Sequence, residues 1–485
     1  MNYRAVFNII GKVLVIVAVF MCPALIISLC LKENGGAVAF LISVVLCVAI
    51  GLPLARLKPK RADIYAREGF VTVGLAWIFV SLLGALPFLI SGAIPNYIDC
   101  VFETVSGFTT TGATIIGDVE CLPRGILYWR SFTHWLGGMG VLVFLLILNP
   151  LSDKNTGEGM HLLRAESPGI KASKLVPRMK DSAKILYLIY IALTVLEFVL
   201  LVVGRMPLLD ALCLSFGTAG TGGFGVLNDS VASYSPYCQW VITVFMLLFG
   251  VNFNVYFLLL IRKFRNALKN EELIVFASIV GASIAVISVN IFRQYSGVGE
   301  TLRAAAFQVA SIISTTGFST VDFDQWPQLS RTILVALMFC GACAGSTGGG
   351  AKVIRIIISF KSARRSIYKI MHPNSVRIIH VDGERIDDET VSAVGAYMLA
   401  YFIITAAAIL LISLDGMNFE TNFTAVAACL NNIGPGLGGV GPVENYSAFS
   451  WFSKLVLTLS MLIGRLEIYP ILLLFTTSVW RKIQR

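Results

Sequence analysis

Four short glycine-containing stretches recur along the sequence, and each follows an apolar segment too short to cross a bilayer. Backbone polar groups at membrane depth are tolerated only where they are buried in protein or line a wet cavity. Carbonyl oxygens that converge on a dehydrated cation can replace its hydration shell, and glycine leaves no side chain to block the space. We therefore predict that the stretches form the walls of one ion pore. They are Thr109-Thr110-Thr111-Gly112-Ala113, Gly220-Thr221-Gly222-Gly223-Phe224, Ser314-Thr315-Thr316-Gly317-Phe318 and Asn431-Asn432-Ile433-Gly434-Pro435.

Composition assigns the chain to the membrane proteins. Of its 485 residues, 56% are hydrophobic and only 14% are charged. The mean hydropathy of +0.79 lies far above the usual range of soluble proteins. Because no long soluble segment is visible, we predict an all-helical protein that crosses the membrane many times. The formal charge of +10 does not indicate a nucleic-acid partner in such a protein. The positions of its Lys and Arg residues instead indicate which segments face the cytoplasm.

Ten stretches are apolar enough and long enough to cross the hydrocarbon layer, which takes about 20 residues of helix. Two precede the first glycine stretch, and the other eight pair up around the four stretches. The first is predicted to be a retained helix and not a signal peptide, because its long apolar run lacks a convincing cleavage site. The ten lie near 6–31, 37–57, 70–91, 127–150, 182–203, 237–261, 272–292, 331–360, 390–414 and 450–480.

One order of elements occurs four times: a spanning helix, a short re-entrant helix, a glycine stretch and a second spanning helix. The period is roughly a hundred residues, much longer than that of solenoid repeats. The sequence thus predicts two N-terminal helices followed by four pore repeats. Their expected bounds are 1–69, 70–150, 151–265, 266–371 and 372–485, and the second of these repeats includes a cytoplasmic loop.

Basic residues cluster between the repeats and at the end of the chain. Cytoplasmic loops of membrane proteins carry an excess of Lys and Arg. We therefore predict that both termini are cytoplasmic and that all four glycine stretches enter from outside. The residues are Arg56, Lys58, Lys60, Arg61 and Arg67; Lys171, Lys174, Arg178, Lys180 and Lys184; Arg262, Lys263, Arg265 and Lys269; Lys361, Arg364, Arg365, Lys369, Arg377 and Arg385; and Arg481, Lys482 and Arg485.

Acidic residues lie near the start of each short helix and after each glycine stretch. Carboxylates favour the positive N-terminal end of a helix dipole, which leaves the negative ends aimed at the glycine stretches. Two interpretations stay open: an electronegative mouth that concentrates cations, or ordinary caps and solvated residues. The first group is Asp99, Glu103, Asp210, Glu300 and Glu420, and the second is Asp118, Asp229, Asp322, Asp324 and Glu444.

The second spanning helix of each repeat is irregular near its middle. At 137–140 and 250–254 the glycines favour close helix packing. The stretch 341–350 has too many small residues to stay helical, so we predict a broken helix whose loop lies beneath the filter and obstructs the pore.

Arg465 lies deep in the last helix, where a charge costs about 2.5–3.5 kcal/mol. It either pairs with Glu467 or, as we favour, faces the conduction path and sets a barrier or holds the loop.

Other motifs give little support to enzyme chemistry. Segment 220–225 matches GxGxxG, but no strand precedes it, so the match is accidental. The chain has four histidines and neither an HExxH nor a GxSxG motif. His134 is expected to be a packed or interfacial histidine. Cys100 and Cys121 flank the first glycine stretch and could pair.

Together, the four stretches, the segment YWRSFTHWLGG at 128–138 and the loop at 341–352 resemble the membrane subunits of the bacterial Trk potassium uptake system, within the Trk/Ktr/HKT superfamily. The resemblance covers essentially the whole chain. It implies an all-α membrane protein with four M1-P-M2 repeats, similar to those of potassium channels, around a central pore, plus two extra N-terminal helices. It also implies that K⁺ is the transported ion, that the chain holds no organic cofactor, and that the protein is not an enzyme.

The resemblance assigns a role to each residue of the filter and the gate. Carbonyls just before each filter glycine should contact K⁺. Gly222 could replace Gly223 in the second repeat, but Gly223 is preferred because Phe224 then matches Phe318. The implied filter is Thr110, Thr111, Gly112, Thr221, Gly222, Gly223, Thr315, Thr316, Gly317, Asn432, Ile433 and Gly434. The implied gate is Gly345, Ser346, Thr347, Gly348, Gly349, Gly350 and Arg465.

The resemblance further implies partners and a location. It implies a homodimer with one pore per protomer, surrounded by lipids in the bacterial inner membrane. A cytosolic nucleotide-binding ring of the TrkA type would dock on the basic cytoplasmic face and control opening. The basic segments 151–184 and 361–389 are where we expect that contact.

Selectivity and coupling are read from the filter pattern. Each stretch keeps one central glycine where potassium channels have TVGYG, and the fourth has Asn-Asn-Ile in place of Thr-Thr. Fewer carbonyl layers predict K⁺ and Rb⁺ over Na⁺, with less stringent selection than in those channels. Coupling of flux to H⁺ or Na⁺ stays open. A secondary transporter of another solute would show inverted repeats, whereas all four repeats here enter from one side.

Overall fold

Helices make up most of the computed structural model, which describes residues 1–58, 66–140, 179–375 and 377–480. Within these ranges, His380–Val381 and Glu384–Arg385 form one antiparallel hairpin. Several predicted features lie outside the described residues. They are the end of the first repeat beyond residue 140, the basic segment as far as residue 178, Lys60 and Arg61, and the basic residues at 481–485.

Two helices, Tyr3–Cys30 and Asn34–Ala55, precede the repeated part of the chain. They approach closely where Gly11 meets Gly51. A Cβ on Gly11 would collide with the backbone nitrogen of Ala55. Small residues at such contacts are what allows membrane helices to pack backbone against backbone. The pair packs against the first helices of the repeated part.

Four successive units follow, each with an M1 helix, a short P helix before the glycine stretch, and an M2 segment. Unit 1 has M1 Ala66–Gly84 continued by Leu86–Ile90, P Tyr97–Phe108 and M2 Arg124–Gly138. Unit 2 has M1 Met179–Val203, P Leu208–Gly220, and M2 Pro236–Gly250 followed by Phe253–Leu260 and Phe264–Leu268. Unit 3 has M1 Glu271–Ile291, P Val298–Ile313, and M2 Gln328–Cys340 followed by Val353–Met371. Unit 4 has M1 Asp388–Ile412, P Phe419–Leu430, and M2 Trp451–Arg465 followed by Tyr469–Leu474 and Thr477–Trp480.

The P helices start at local signals and end at the glycine stretches. In units 1 and 4 the side chains of Asn96 and Asn418 cap the helix by accepting a backbone N–H, which satisfies a donor that the first turn leaves free. The connections also contain single 3₁₀ turns. These are Phe292–Gln294, Phe323–Gln325, Ser413–Asp415, Gly438–Val440 and Tyr446–Ala448. Because every P helix ends where its stretch begins, the negative ends of four helix dipoles face the stretches.

M2 segments are interrupted where the sequence marks irregularities. Six helices among the described residues are long and apolar enough to cross a membrane, and Pro236–Gly250 with Phe253–Leu260 forms a further candidate bent by 91°. The prediction that glycine at 250–254 serves close packing in a helix is therefore wrong, because the helix breaks there. For 137–140 the packing prediction is confirmed at Gly137 and Gly138, where a Cβ would collide with the carbonyl of Phe108 and with Cα of Gly220. The helix ends at Gly138, and Gly140 has φ +76°.

Candidate functional site

The four glycine stretches share one backbone conformation. Gly112, Gly223, Gly317 and Gly434 have φ of +78°, +81°, +85° and +96°. Two residues earlier, Thr110, Thr221, Thr315 and Asn432 have φ of +55°, +55°, +60° and +56°. Non-glycine residues rarely adopt positive φ, so its recurrence at one spacing defines a common register. That register contains Gly223 and not Gly222.

The stretches form a closed ring in chain order. At each glycine, a Cβ would collide with the carbonyl oxygen of the residue that precedes the glycine of the next unit. The pairs are Gly112 with Gly222, Gly223 with Thr316, Gly317 with Ile433, and Gly434 with Thr111. The fourth unit thus returns to the first. Four carbonyl groups occupy equivalent places around this ring, an arrangement that can coordinate a dehydrated cation.

Side-chain hydrogen bonds hold the stretches from behind. The hydroxyl oxygens of Thr109 and Thr111 lie 2.8 Å apart, and those of Ser314 and Thr316 lie 2.7 Å apart. In unit 4 the Nδ2 of Asn432 donates to Thr111 Oγ1 at 3.0 Å. The departure from Thr-Thr in this unit therefore has a structural use, because the longer amide reaches the neighbouring stretch.

His134, on M2 of unit 1, contacts the second stretch and supports it from behind. Its Nδ1 lies 2.8 Å from the carbonyl oxygen of Gly107, and its Nε2 lies 3.3 Å from the backbone nitrogen of Phe224. A neutral ring with its proton on Nδ1 satisfies both groups. The ring centroid lies 4.2 Å from that of Phe224. The expectation of a packed histidine is confirmed, and its place behind the ring is what sequence reasoning missed.

Most carboxylates predicted at the P-helix starts are paired with cations from M2 segments. Ion pairs join Asp99 to Lys454 at 2.9 Å, Glu103 to Arg130 at 2.7 Å, Asp210 to Arg124 at 3.5 Å, and Glu420 to Arg331. Glu300 instead accepts the backbone N–H of Ser296 at 3.4 Å. Four of these five charges are therefore compensated locally, which favours the interpretation of this group as structural residues.

A cavity of about 100 Å³ opens on one side of the ring and is lined by all four of its glycines. Of the acidic residues after the stretches, Glu444 lines this cavity. Asp324 instead pairs with Arg331 at 2.9 Å. Asp118 accepts hydrogen bonds from the Cys121 thiol and the Asn228 amide, which lower its pKa. Asp229 accepts a hydrogen bond from Ser233, and Asp322 accepts one from Gln325 at 2.8 Å. Glu444 is therefore the member of this group that lines the cavity.

Cys100 and Cys121 are free thiols. Cys100 is buried, and its Sγ donates to the carbonyl oxygen of Ile94 at 3.4 Å. Cys121 is exposed, and its Sγ donates to Asp118 Oδ2 at 2.8 Å. The pairing left open by the sequence does not occur in this structure.

The break in M2 of unit 3 is a loop over 341–352, called the M2 loop below. The helix ends at Cys340 and resumes at Val353. Three glycines in the loop have positive φ, where other residues are strained. They are Gly341 at +68°, Gly345 at +72° and Gly350 at +77°. The composition predicts this break because so many positions need glycine.

The M2 loop lies directly against the ring. The backbone N–H of Gly349 donates to Thr315 Oγ1 at 2.7 Å, and a Cβ on Gly349 would lie 2.7 Å from the carbonyl oxygen of Asn431. Thr315 and Asn431 precede the ring glycines, whereas most of the cavity is lined by residues that follow them. The loop therefore lies on the opposite side of the ring from the cavity.

Arg465 ties the M2 loop to unit 1. Its Nη1 donates to the carbonyl oxygen of Thr347 at 2.7 Å. Its Nη2 donates to the carbonyl oxygens of Gly137 and Gly138 at 2.5 and 2.7 Å. Glu467, the alternative partner that the sequence offers for Arg465, forms an ion pair with Arg355. Of the two interpretations of Arg465, the geometry fits the one in which it holds the loop.

Glu272, at the start of M1 in unit 3, binds the M2 loop and the first turn of the helix that follows it. One of its oxygens, Oε1, accepts the backbone N–H of Ala344 at 2.7 Å and that of Ile354 at 3.2 Å. The side chain is only 3% exposed. Sequence reasoning missed this residue because an acid in the first turn of a helix is an ordinary favourable feature.

The break in M2 of unit 2 also supports the loop. The carbonyl oxygen of Gly250 accepts the N–H of Cys343 at 3.0 Å, and the N–H of Phe253 donates to the carbonyl oxygen of Gly345 at 3.0 Å. Groups freed by the broken helix are thus satisfied by the loop, as burial in protein requires. Two interrupted helices stabilise one another.

These features define a class: an all-helical, polytopic membrane protein in which four re-entrant stretches close one ring above an intramembrane loop. That the chain is a transport protein and not an enzyme follows from its family. The chain belongs to the TrkH family of cation transport proteins, whose model matches residues 36–272 and 272–482.

Similar proteins cover the whole length of the chain. The Trk system potassium uptake proteins TrkH of Salmonella typhimurium and of Escherichia coli K12 are each 35% identical over 490 residues, covering 99% of this chain and all of theirs. The Trk system potassium uptake protein TrkG of Escherichia coli K12 is 32% identical, covering 99% of both chains. The crystal structure of the potassium transporter TrkH from Vibrio parahaemolyticus superposes with a TM-score of 0.87, at 32% identity, over 99% of this chain and 100% of that one.

Proposed function

We propose that this protein takes up K⁺ across the bacterial inner membrane through a selective pore formed by the four glycine stretches. The observation that carries this proposal is the closed ring in which the carbonyls of Thr111, Gly222, Thr316 and Ile433 recur at equivalent positions. The similar proteins are named potassium uptake proteins, which supports K⁺ as the transported ion. The proposed filter is the set of twelve residues predicted from the sequence, with K⁺ as the only metal ion held there.

The pore is expected to prefer K⁺ and Rb⁺ to Na⁺. Selection by carbonyl oxygens rests on how well they replace the hydration shell of an ion. Each stretch has one central glycine and few carbonyl layers. Hydrogen bonds between side chains of neighbouring stretches, such as the one from Asn432 to Thr111, limit how far the ring can contract around the smaller Na⁺. Rb⁺, which is close to K⁺ in size, should pass.

The gate proposed here is the segment 345–350 together with Arg465. The loop lies against Thr315 and Asn431, beneath the ring, and Arg465 holds it to unit 1. A pore with its exit covered by a hydrogen-bonded loop conducts only when the loop moves. Opening therefore requires that these hydrogen bonds break or rearrange.

The regulatory surface lies on the basic side of the molecule, proposed as cytoplasmic together with both termini. There the helix Val353–Met371 continues from the M2 loop and carries Lys361, which pairs with Glu271, and Arg365, which pairs with Asp388 at 2.6 Å. A cytosolic nucleotide-binding ring of the TrkA type that docks on 361–389 and 151–184 would act on a helix joined directly to the gate. The proposed assembly is a homodimer with one pore per protomer in a lipid membrane.

The test of this function is ion flux into liposomes that contain only this protein. K⁺, Rb⁺, Na⁺ and Li⁺ are compared at a fixed voltage with no proton gradient. Flux of K⁺ and Rb⁺ well above Na⁺ and Li⁺ is expected. Equal flux of Na⁺ and K⁺ would refute the selective pore. Flux that appears only with a proton or sodium gradient would establish the alternative, an ion-coupled potassium symporter.

Glu272→Gln is expected to raise K⁺ flux measured in the absence of any partner by about threefold or more. The neutral amide is a weaker acceptor for the N–H groups of Ala344 in the loop and of Ile354 just after it. The measurement is Rb⁺ uptake into liposomes at equal protein content. Glu271→Gln is the matched control: it removes the neighbouring carboxylate, which pairs with Lys361 at the surface. Equal flux in the two variants would exclude Glu272 as an anchor of the gate.

A further inference from the structure

A buried ion pair lies beside the ring between units 1 and 2. Glu103 on the P helix of unit 1 and Arg130 on its M2 helix meet at 2.7 Å, between Oε1 and Nε. The side chain of Glu103 is fully buried and that of Arg130 is 2% exposed. Burying two charges is costly unless further hydrogen bonds satisfy the remaining polar atoms. The contacts of this pair therefore show what it holds in place.

Glu103 holds the segment that follows the filter glycine of unit 1. Its Oε1 accepts the hydroxyl of Thr114 at 3.0 Å, and its Oε2 accepts the backbone N–H of Ile115 at 3.0 Å. These residues are two and three positions after Gly112. Both carboxylate oxygens are thus used to fix the path of the chain as it leaves the ring.

Arg130 reaches the corresponding segment of unit 2. Its Nη1 donates to the carbonyl oxygen of Gly225 at 3.0 Å. Its guanidinium carbon lies 3.6 Å from the centroid of the Phe224 ring, within the range of a cation–π contact. Phe224 and Gly225 directly follow Gly223. The ion pair therefore bridges two neighbouring filter segments through one rigid connection.

The other junctions between units use different contacts. Between units 2 and 3 the N–H of Val231 donates to the carbonyl oxygen of Ser319 at 3.0 Å. Between units 3 and 4 the N–H of Gly438 donates to Asp324 Oδ2 at 3.3 Å. Between units 4 and 1 the N–H of Tyr446 donates to the carbonyl oxygen of Thr114 at 2.8 Å. Ion pairs also occur at other junctions, but the Glu103–Arg130 pair is more deeply buried than Arg331–Asp324 at the junction of units 3 and 4, whose side chains are 18% and 28% exposed.

We propose that Glu103 and Arg130 are positioning residues for ion selection, which fix the filter segments of units 1 and 2 at the separation that K⁺ requires. The inference rests on the proposed function of the ring. Discrimination between ions requires oxygen ligands held in place, within roughly 0.5 Å for a preorganised site. Arg130 also lines the cavity beside the ring, so Glu103 has a second effect: it compensates a positive charge that would otherwise repel cations there.

The experiment measures K⁺ and Na⁺ flux in liposomes for Glu103→Gln, Arg130→Met and the double variant. Each single change is expected to lower the ratio of K⁺ to Na⁺ flux by about tenfold, equivalent to about 1.4 kcal/mol. Glu103→Gln should also lower K⁺ flux itself, because Arg130 is left uncompensated. The double variant should recover K⁺ flux relative to Glu103→Gln while selectivity stays low. The effects of the two changes on K⁺ flux are then not additive. A loss of stability alone would not restore flux in the double variant.

Arg130→Lys provides a variant that keeps the buried charges balanced. It is expected to fold even if the neutral variants do not, and to lose selectivity because an ammonium cannot reproduce the planar contacts to Glu103, Gly225 and Phe224. A Lys variant with unchanged selectivity would overturn the proposal. So would Glu103→Gln and Arg130→Met variants that reconstitute well and keep the ratio of the parent protein.

The matched control is the other ion pair of the same P helix, Asp99 with Lys454. The double change Asp99→Asn with Lys454→Met removes a partly buried pair whose hydrogen bond joins only the two side chains and not the segments after the ring glycines. It should keep the K⁺ to Na⁺ ratio, and an equal loss there would overturn the specific role of Glu103 and Arg130.

Gly317→Ser serves as the reference for the ring itself. If Gly317→Ser changes selectivity and the pair does not, this inference fails while the proposed function stands. If neither Gly317→Ser nor Gly112→Ser changes selectivity, the proposed function fails.

Discussion

Replacement of Gly317 by serine is expected to remove most of the discrimination between K⁺ and Na⁺ and to lower K⁺ flux by about tenfold or more. Gly317 has φ +85°, and a residue other than glycine held in a sparsely populated backbone region costs about 1–3 kcal/mol. A Cβ at this position would collide with the carbonyl oxygen of Ile433 in the next unit. Because the backbone of Ile433 is itself part of the ring, relief of the collision displaces a carbonyl proposed to contact the ion.

The measurement is the flux of K⁺, Rb⁺ and Na⁺ into liposomes with the parent protein and the variant at equal content. Gly281→Ser is the matched control, because Gly281 lies in M1 of unit 3 and a Cβ there meets no atom within 4 Å. Gly112→Ser should behave like Gly317→Ser, since its Cβ would collide with the carbonyl oxygen of Gly222. Retained selectivity in both ring variants would exclude the ring as the filter.

The sequence predicts the ring stretches well because their conformation depends on residue type at fixed spacing. The four ring positions have positive φ, which glycine adopts at the lowest conformational cost. Phe224 and Phe318 fix the alignment of unit 2 with unit 3. The loop at 341–352 is predicted for the same reason, since a run of small residues does not support a helix. Features that depend on local backbone chemistry can therefore be read from local sequence.

The partners of charged side chains cannot be read in this way. Asp99 and Glu420 are visible at the starts of P helices, but Lys454 is 355 residues away from Asp99 along the chain. Glu467 is two residues from Arg465, and proximity in sequence predicts it as a partner, yet it pairs with Arg355. Pairing is decided by the packing of helices from different units, and one sequence contains no direct signal of it.

The bend at Gly250 has a related cause. A short run of Gly-Val-Asn tolerates either a helix or a break, because glycine in membrane helices commonly serves close packing. The break is stabilised by the carbonyl of Gly250 and the N–H of Phe253, which bond to the M2 loop of unit 3. A contact with another unit thus determines the local conformation, and this contact appears only in the structure.

The ring and the proposed gate are joined by direct contacts, which has a consequence for conduction. Thr315 belongs to the proposed filter, and its hydroxyl accepts the N–H of Gly349 in the M2 loop at 2.7 Å. Movement of the loop therefore changes the surroundings of a filter residue. Selectivity measured with the gate open and closed need not be equal, and variants of the loop should be tested for selectivity as well as for flux.

Arg465→Gln is expected to raise K⁺ flux in the absence of any partner by about tenfold or more, because hydrogen bonds from a charged group contribute about 1.5–3 kcal/mol each. The guanidinium donates to Thr347 in the loop and to Gly137 and Gly138 in unit 1. Glutamine is shorter and uncharged and cannot span both sides. The readout is Rb⁺ uptake into liposomes, with Lys454→Met, on the same helix but away from the loop, as the control for loss of a charge.

A double change separates the two ways in which Arg465 could restrict flux. Deletion of 346–349 removes the part of the loop that Arg465 holds, and it should raise flux by itself. If Arg465 acts by holding the loop, Arg465→Gln adds little to the deletion, because residues that act through one element are not additive. If the two effects add, the guanidinium restricts cations by its charge alone. Because its three hydrogen bonds join the loop to the opposite wall of the pore, we expect the first result.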